Sequence, residues 1–472
     1  MLSQALHWIV RTFEIITTRL SVWRWTKVWA RASFLPEQNY LIILAVVVGV
    51  LTGLGSVGFI YVLESVAEFA RGPVASMFER FGTAEIVLLP ALGGLLVGPL
   101  VQRFAREAKG HGVPEVMTAL ATRGGHIRKR VVSVKVIASS LTIGFGGTAG
   151  REGPMVQIGS AIGSTVGQWT RLTPQDVRTL VTCGAAGGIA ATFNAPIAAA
   201  IFSMEVLIGR VRTDFLLVLL TSLSSCLVAR SFLGDFPAFM APVYSLVSPA
   251  EVPLYFLMGT LIGVAAIAYI RLLYWSEDAF ARWHFPDWLK PAVGGLLVGL
   301  VLRFFPEVYG SSFNAIESAL WVRFPWELLL GLFVAAMVAN CATLGSGGSG
   351  GIFAPTLYMG AMFGGVFGSF AHELFPAWTA GSGAYAMVGM AAFFAATAKA
   401  PTTSIIILFE MTNDYRIMLP LMAATVGSVY MSHRFSPYSI YTFRLMQRGI
   451  PFPYTGTEQP VTSTPRPEPD TV

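Results

Sequence analysis

Apolar residues run along this chain in long stretches rather than in stripes. Tyr40–Tyr61 reads YLIILAVVVGVLTGLGSVGFIY, and Ile86–Val101, Leu216–Val228, Leu254–Ile270, Leu328–Val338 and Ile417–Tyr430 repeat the pattern. A water-soluble chain of this size would place polar faces between its core stripes. Stretches near the length of a bilayer crossing, one after another, instead predict helices packed in lipid. The pattern is also punctuated by 48 glycines and 27 prolines. In water each would weaken a helix interior by roughly 1–3 kcal/mol. In a membrane a broken helix is tolerated where its freed backbone lines a cavity or is buried in protein. The expected fold is therefore an all-α polytopic membrane protein with broken or re-entrant helices, an architecture that builds transport sites. Close helix packing through small residues accounts for most of the glycines.

Composition sharpens this picture. Charged residues make up 12% of the chain and hydrophobic ones 54%, where a soluble domain carries roughly 25% charged residues. Much of the formal charge of +6 sits in the first stretch, where Arg11, Arg19, Arg24, Lys27 and Arg31 interleave with Trp8, Trp23, Trp25 and Trp29. Residues 1–38 thus read as a basic amphipathic segment on a membrane surface, not as a nucleic-acid binder. They lack the apolar run and cleavage site of a signal peptide. The excess of positive charge places the N-terminus in the cytoplasm, with the basic loops Arg103–Lys109 and Arg123–Arg130 on the same side. Cys183, Cys226 and Cys341 have no metal-ligand spacing and read as small buried hydrophobes. No cofactor or metal is expected. Residues 39–449 form the transmembrane part, and the Pro/Thr/Glu-rich tail, 455–472, is expected to be disordered.

The transmembrane part contains an internal repeat. Pro90–Gly98 reads PALGGLLVG and Pro291–Gly299 reads PAVGGLLVG, 201 residues later. The same offset carries Gly144, Gly146, Gly147, Gly150, Pro154, Gly159 and Gly163 onto Gly345, Gly347, Gly348, Gly351, Pro355, Gly360 and Gly364. An offset of 205 carries Gly184, Ala195, Pro196 and Glu205 onto Gly389, Ala400, Pro401 and Glu410. The chain is two copies of one unit, about 40–230 and about 250–449. An odd number of crossings per unit would invert the second copy, and letters alone do not decide it. In either case the site is expected between the halves.

The strongest chemical signal is a Gly-x-x-x-Pro segment found three times before an apolar run: Gly110–Pro114, Gly150–Pro154 and Gly351–Pro355. Proline suits the first turn of a helix, and glycine allows the irregular backbone leading in. Each segment leaves free N–H groups and about half a positive charge at a helix start, a ready anion site. Magnitudes demand several such ends. A bare anion moved into low dielectric loses on the order of 20 kcal/mol, and one helix terminus returns at most ~2 kcal/mol. A lysine or arginine touching the ion would hold it too tightly for conduction, so partial charges are better suited.

At these residues the sequence resembles the CLC family of chloride channels and chloride/proton exchangers, over about Leu41 to Gly449. Gly150–Pro154 (GREGP) and Gly351–Pro355 (GIFAP) match the family signatures, and Gly110–Glu115 (GHGVPE) matches with one departure. Ser439–Leu445 (SIYTFRL) resembles the segment that brings a tyrosine to the anion, which places it at Tyr441. The resemblance implies inverted repeats and a homodimer with one pore per subunit. It implies a multi-pass protein of the cell's inner or plasma membrane with both termini cytoplasmic. Its ligands would be chloride ions and lipid. Many relatives carry two regulatory CBS domains after the membrane part; too few residues follow Gly449 for one, so the prokaryotic type is expected.

Glu152, a carboxylate in an apolar glycine-rich setting, is functional by default, or else fixed in a salt bridge with Arg151. The resemblance makes it the gate and Arg151 a structural support. Alanine there is expected to leave ungated flow without proton dependence. Anion contacts are expected from His111, Gly112, Val113, Gly153, Ile352, Phe353, Ala354 and Tyr441, through backbone N–H groups and the Tyr441 hydroxyl. Without the resemblance Tyr441 would read as an interfacial aromatic. His111 stands where the family commonly has serine. It can donate from its ring, become protonated and attract anions, or turn away. Val206 occupies the position of the exchangers' internal proton glutamate. Glu205, one residue earlier and roughly 100° around the helix, is a candidate proton path or a helix-end carboxylate. The reading is therefore a passive gated chloride channel, with chloride/proton antiport using Glu152 and either Glu205 or water as the alternative. An enzyme is not expected: Gly345–Gly350 (GSGGSG) lacks the Gly-Lys-Ser/Thr ending of a phosphate loop, and no histidine pairs with its serines.

Overall fold

The computed structural model describes residues 37–78, 82, 84–209, 214–236, 239–311, 313–450 and 452. Apart from its last two residues, the basic segment expected over 1–38 lies outside them, and so does the tail 455–472. Among the described residues the first repeat folds into α1 (Glu37–Phe69), α2 (Ala84–Phe104), α3 (Val113–Thr122), α4 (Arg130–Gly144), α5 (Glu152–Trp169), α6 (Pro174–Phe193), α7 (Pro196–Phe202) and α8 (Phe215–Leu233). The second repeats the series as α9 (Val252–Arg282), α10 (Lys290–Phe304), α11 (Phe313–Leu320), α12 (Trp326–Gly345), α13 (Phe353–Leu374), α14 (Ser382–Ala398), α15 (Pro401–Thr412) and α16 (Met418–Phe435). A short α17 (Thr442–Gln447) follows.

Five of the six apolar stretches named above lie in helices long and apolar enough to cross a bilayer: Tyr40–Phe78, Glu85–Phe104, Phe215–Leu233, Pro249–Arg282 and Trp326–Gly345. The sixth lies in α16. Several other helices are shorter than a bilayer crossing. At 1.5 Å per residue the 15 residues of α4 reach about 22 Å, against a hydrocarbon core of about 30 Å. Helices of this length match the broken or re-entrant segments expected from the sequence.

Two helix pairs show that the repeats are inverted. α2 and α10 cross at their shared PAxGGLLVG motif. A Cβ on Gly94 would stand 2.0 Å from the Pro291 carbonyl oxygen, and one on Gly295 would stand 2.1 Å from that of Pro90. Gly98 meets Trp288 and Gly299 meets Val87 in the same way. Rising numbers on one helix meet falling numbers on the other, so equivalent helices run antiparallel about a twofold axis. α2 is long and apolar enough to cross a bilayer, and an axis perpendicular to a crossing helix lies in the membrane plane.

The second pair is α7 and α15. Glu205, in the π turn that ends α7, accepts from the N–H groups of Thr402 (3.2 Å) and Thr403 (2.8 Å) at the start of α15. Glu410 does the same for Ile197 (3.1 Å) and Ala198 (2.7 Å) at the start of α7. Each carboxylate caps the other repeat's helix, satisfying orphan N–H groups and meeting the positive end of the dipole. We expect Glu205→Ala and Glu410→Ala to lower stability by similar amounts, about 1–2 kcal/mol. Thermal unfolding in detergent tests this, and a variant that melts with the parent would refute the capping role.

Candidate functional site

Both repeats break at the same place. α4 ends at Gly144 and α5 begins at Glu152; α12 ends at Gly345 and α13 begins at Phe353. The two connecting loops meet on the twofold axis, where the Gly150 N–H donates to the Gly351 carbonyl at 2.8 Å and receives a bond in return. The loop before α3 joins them: the Gly110 N–H donates to the Gly348 carbonyl at 3.0 Å, and that of Gly350 to Gly110 at 3.3 Å. All three Gly-x-x-x-Pro segments thus meet, each with its proline in the first helical turn. Gly153 shows how closely. A Cβ there would lie 2.4 Å from the His111 carbonyl oxygen and 2.8 Å from the Gly351 Cα.

Buried side chains hold the loops in register. Asn340 donates to the Thr148 carbonyl (2.7 Å) and accepts from the Tyr269 hydroxyl (2.6 Å). Ser349 lies 3.0 Å from Ser139 and donates to the Ala108 carbonyl at 2.7 Å. Lys135, fully buried in α4, donates to the carbonyls of Ala108 (3.0 Å) and Gly110 (2.8 Å). The sequence analysis passed over this residue. It is the one charged residue between Arg130 and Arg151, and that isolation inside an apolar helix was the available signal. Its cation rests on loop carbonyls rather than on the cavity wall, lending positive potential without a direct grip.

The helix starts enclose a small cavity of about 10 Å³, close to the minimum that holds one water-sized particle. Of the residues expected at the site, His111, Val113, Glu152, Gly153, Ile352, Phe353 and Tyr441 line it. Gly112 lies just behind, against the Gly153 carbonyl oxygen. Ala354 faces Glu152 through its N–H. The Val113 N–H turns back onto the His111 carbonyl at 3.0 Å, so it is already engaged. Val156, Ile189 and Phe202 complete the wall and were missed. Val156 is one helical turn beyond Glu152, a spacing that predicts it; Ile189 and Phe202 carry no such mark.

Glu152 is 2% exposed. Its Oε2 accepts from the Ala354 N–H at 3.4 Å, a long bond, and its Oε1 has no partner among the described residues. No ion pair with Arg151 forms among the described residues; the Arg151 guanidinium stands 5.5 Å from the Phe313 ring centroid instead. The carboxylate therefore lies on the N-terminus of α13, weakly held. Its repeat equivalent, 201 residues on, is Phe353, whose ring packs between Phe193 (4.6 Å) and Phe394 (4.3 Å). Tyr441 lies edge-on to Phe202 at 6.3 Å and 6.0 Å from the His111 ring. Val206 is buried, and neither it nor Glu205 reaches the cavity wall.

Comparisons with known proteins point the same way. Residues 93–433 match the family model described as voltage gated chloride channel. A putative chloride channel protein, ClcB-like, from Ralstonia nicotianae is 36% identical over 75% of this chain and 84% of its own length. The H(+)/Cl(-) exchange transporter ClcA of Vibrio campbellii is 32% identical over 88% of this chain and 91% of its own. The crystal structure of a slow cyanobacterial Cl-/H+ antiporter superposes with a TM-score of 0.78 at 26% identity. It covers 86% of this chain and 97% of that one.

Proposed function

Because this chain belongs to the voltage gated chloride channel (CLC) family, we propose that it carries chloride through the cavity where its broken helices meet, gated by Glu152. The observation that supports the gate is the carboxylate's position. It occupies the N-terminus of α13 through one long hydrogen bond and leaves its second oxygen unmet. Protonation or a competing chloride releases it, and the ion then meets the same N–H groups. The anion ligands are the backbone N–H groups at Gly153, Ile352, Phe353 and Ala354, the Tyr441 hydroxyl and the His111 ring. Arg151 supports the loop from its place over Phe313.

Passage is passive in this reading. Val206 offers only hydrocarbon at the position where a second proton carrier is expected, and Glu205 is occupied as a helix cap. The names of the ClcA relatives and of the antiporter structure favour the alternative, exchange against protons through water. The assembly belonging to this reading is a homodimer with one pore per subunit. It lies in the inner or plasma membrane with both termini in the cytoplasm.

Reversal potential under crossed chloride and proton gradients separates the two modes. We expect it to follow the chloride equilibrium potential. A fixed displacement toward the proton gradient would replace passive conduction by exchange.

A further inference from the structure

His111 entered with three options, to donate, to become charged or to turn away, and its surroundings remove the last. The residue is 5% exposed and lines the cavity together with Glu152 and Tyr441, and its ring centroid lies 6.0 Å from that of Tyr441. Nδ1 is buried without a hydrogen-bond partner among the described residues. A neutral imidazole has one N–H to give and one lone pair to fill. Burying the Nδ1 position unmet is unfavourable, and a ligand that supplies the missing partner relieves it.

The charges facing the ring are mostly positive. Lys135 of α4 bonds to the Gly110 carbonyl, the neighbouring residue. Arg444, within α17, and Arg448, just past its end, lie farther out, paired with Glu277 and Asp278 and with Glu115 respectively. The negative group facing it is Glu152 of α5, and the Tyr441 hydroxyl is neutral. α6, α7 and α13 present only Ile189, Phe202, Ile352 and Phe353. An imidazolium is therefore repelled when the cavity holds no negative charge and favoured when it holds one.

We infer that His111 is a joint anion–proton site: one ring N–H donates to the chloride in the cavity, and a proton from solvent binds the second ring nitrogen as chloride arrives. This rests on the reading that the cavity is the chloride site. Chloride binding then takes up a proton even when Glu152 cannot titrate, and acid pH tightens chloride binding independently of the gate.

The test is isothermal titration of chloride into the detergent-solubilised full chain carrying Glu152→Gln, at pH 5.5–8, in two buffers of different ionisation enthalpy. We expect up to one proton taken up per chloride and an affinity that weakens by up to about tenfold per pH unit on the alkaline side. Adding His111→Asn or His111→Ser keeps a neutral donor, and binding should lose both its proton uptake and its pH dependence. Two variants guard against one that does not elute as a single folded species. Chloride binding to Glu152→Gln without proton uptake overturns the inference, as does uptake that survives both substitutions. A folded Glu152→Gln protein that binds no chloride at any pH overturns instead the chloride-site reading beneath it.

Discussion

Replacing Glu152 by alanine is expected to raise chloride flux at neutral pH by up to about tenfold and to flatten its pH profile. In the gating reading proposed above, the closed state rests on one 3.4 Å hydrogen bond to the Ala354 N–H, worth no more than about 1.5 kcal/mol, the low end for bonds to charged groups. Converted to populations, that free energy is a factor of at most roughly 10 in the open fraction. Alanine removes both the plug and the proton that lifts it. The measurement is flux from liposomes at matched chloride well below saturation, since saturating chloride would itself displace the carboxylate in the parent. Flux that keeps the parent's rate and acid activation would falsify the gating role. Glu152→Gln should open the path to a similar extent, since it imitates the protonated side chain and loses the attraction of a charged carboxylate for the helix end.

Replacing Gly159 by valine is expected to abolish the folded protein or lower its stability by more than ~3 kcal/mol, above the usual range for overpacking. α5 and α6 touch backbone to backbone at this point. A Cβ on Gly159 would lie 2.0 Å from the Gly184 carbonyl oxygen, and one on Gly184 the same distance from that of Gly159. The second repeat builds the same crossing with Gly360 and Gly389 at 2.3 Å. Backbone on both sides leaves no flexible side chain to yield, so the helices must separate, and α5 carries Glu152 with it. Gly58→Val, on an exposed face of α1 with nothing within 4 Å of its Cβ, is the control. Melting temperature and monodisperse yield in detergent read both; a Gly159→Val protein indistinguishable from the control would remove the close-packing account.

Much of this was legible from the letters because lipid imposes simple demands. Apolar stretches marked five helices long and apolar enough to cross a bilayer, and the offsets of 201 and 205 paired α2 with α10 and α7 with α15. The Gly-x-x-x-Pro segments marked three helix starts because glycine and proline declare backbone geometry directly. What stayed hidden depends on direction and distance. Letters carry no sense of up or down, so inversion appeared only when Gly94 met Pro291 and Gly295 met Pro90. Ile189 and Phe202 reach the cavity from helices far along the chain and look like any other packed residue. The Val113 N–H satisfies itself on a neighbouring carbonyl, which no residue type announces. Glu205 had two readings of similar pattern, and only the Thr402 and Thr403 amides at the start of α15 gave it a partner.

The pairing of Glu152 with Phe353 across the twofold axis has a consequence of its own. A conduit whose two ends were related by that axis would look identical from either face of the bilayer, and its current–voltage curve would be odd about zero in symmetric solutions. One half presents a titratable acid and the other an aromatic ring wedged between Phe193 and Phe394. Inequivalence of this kind is what lets a duplicated protein rectify, so the polarity of the pore is written in how the copies diverged rather than in the frame they share.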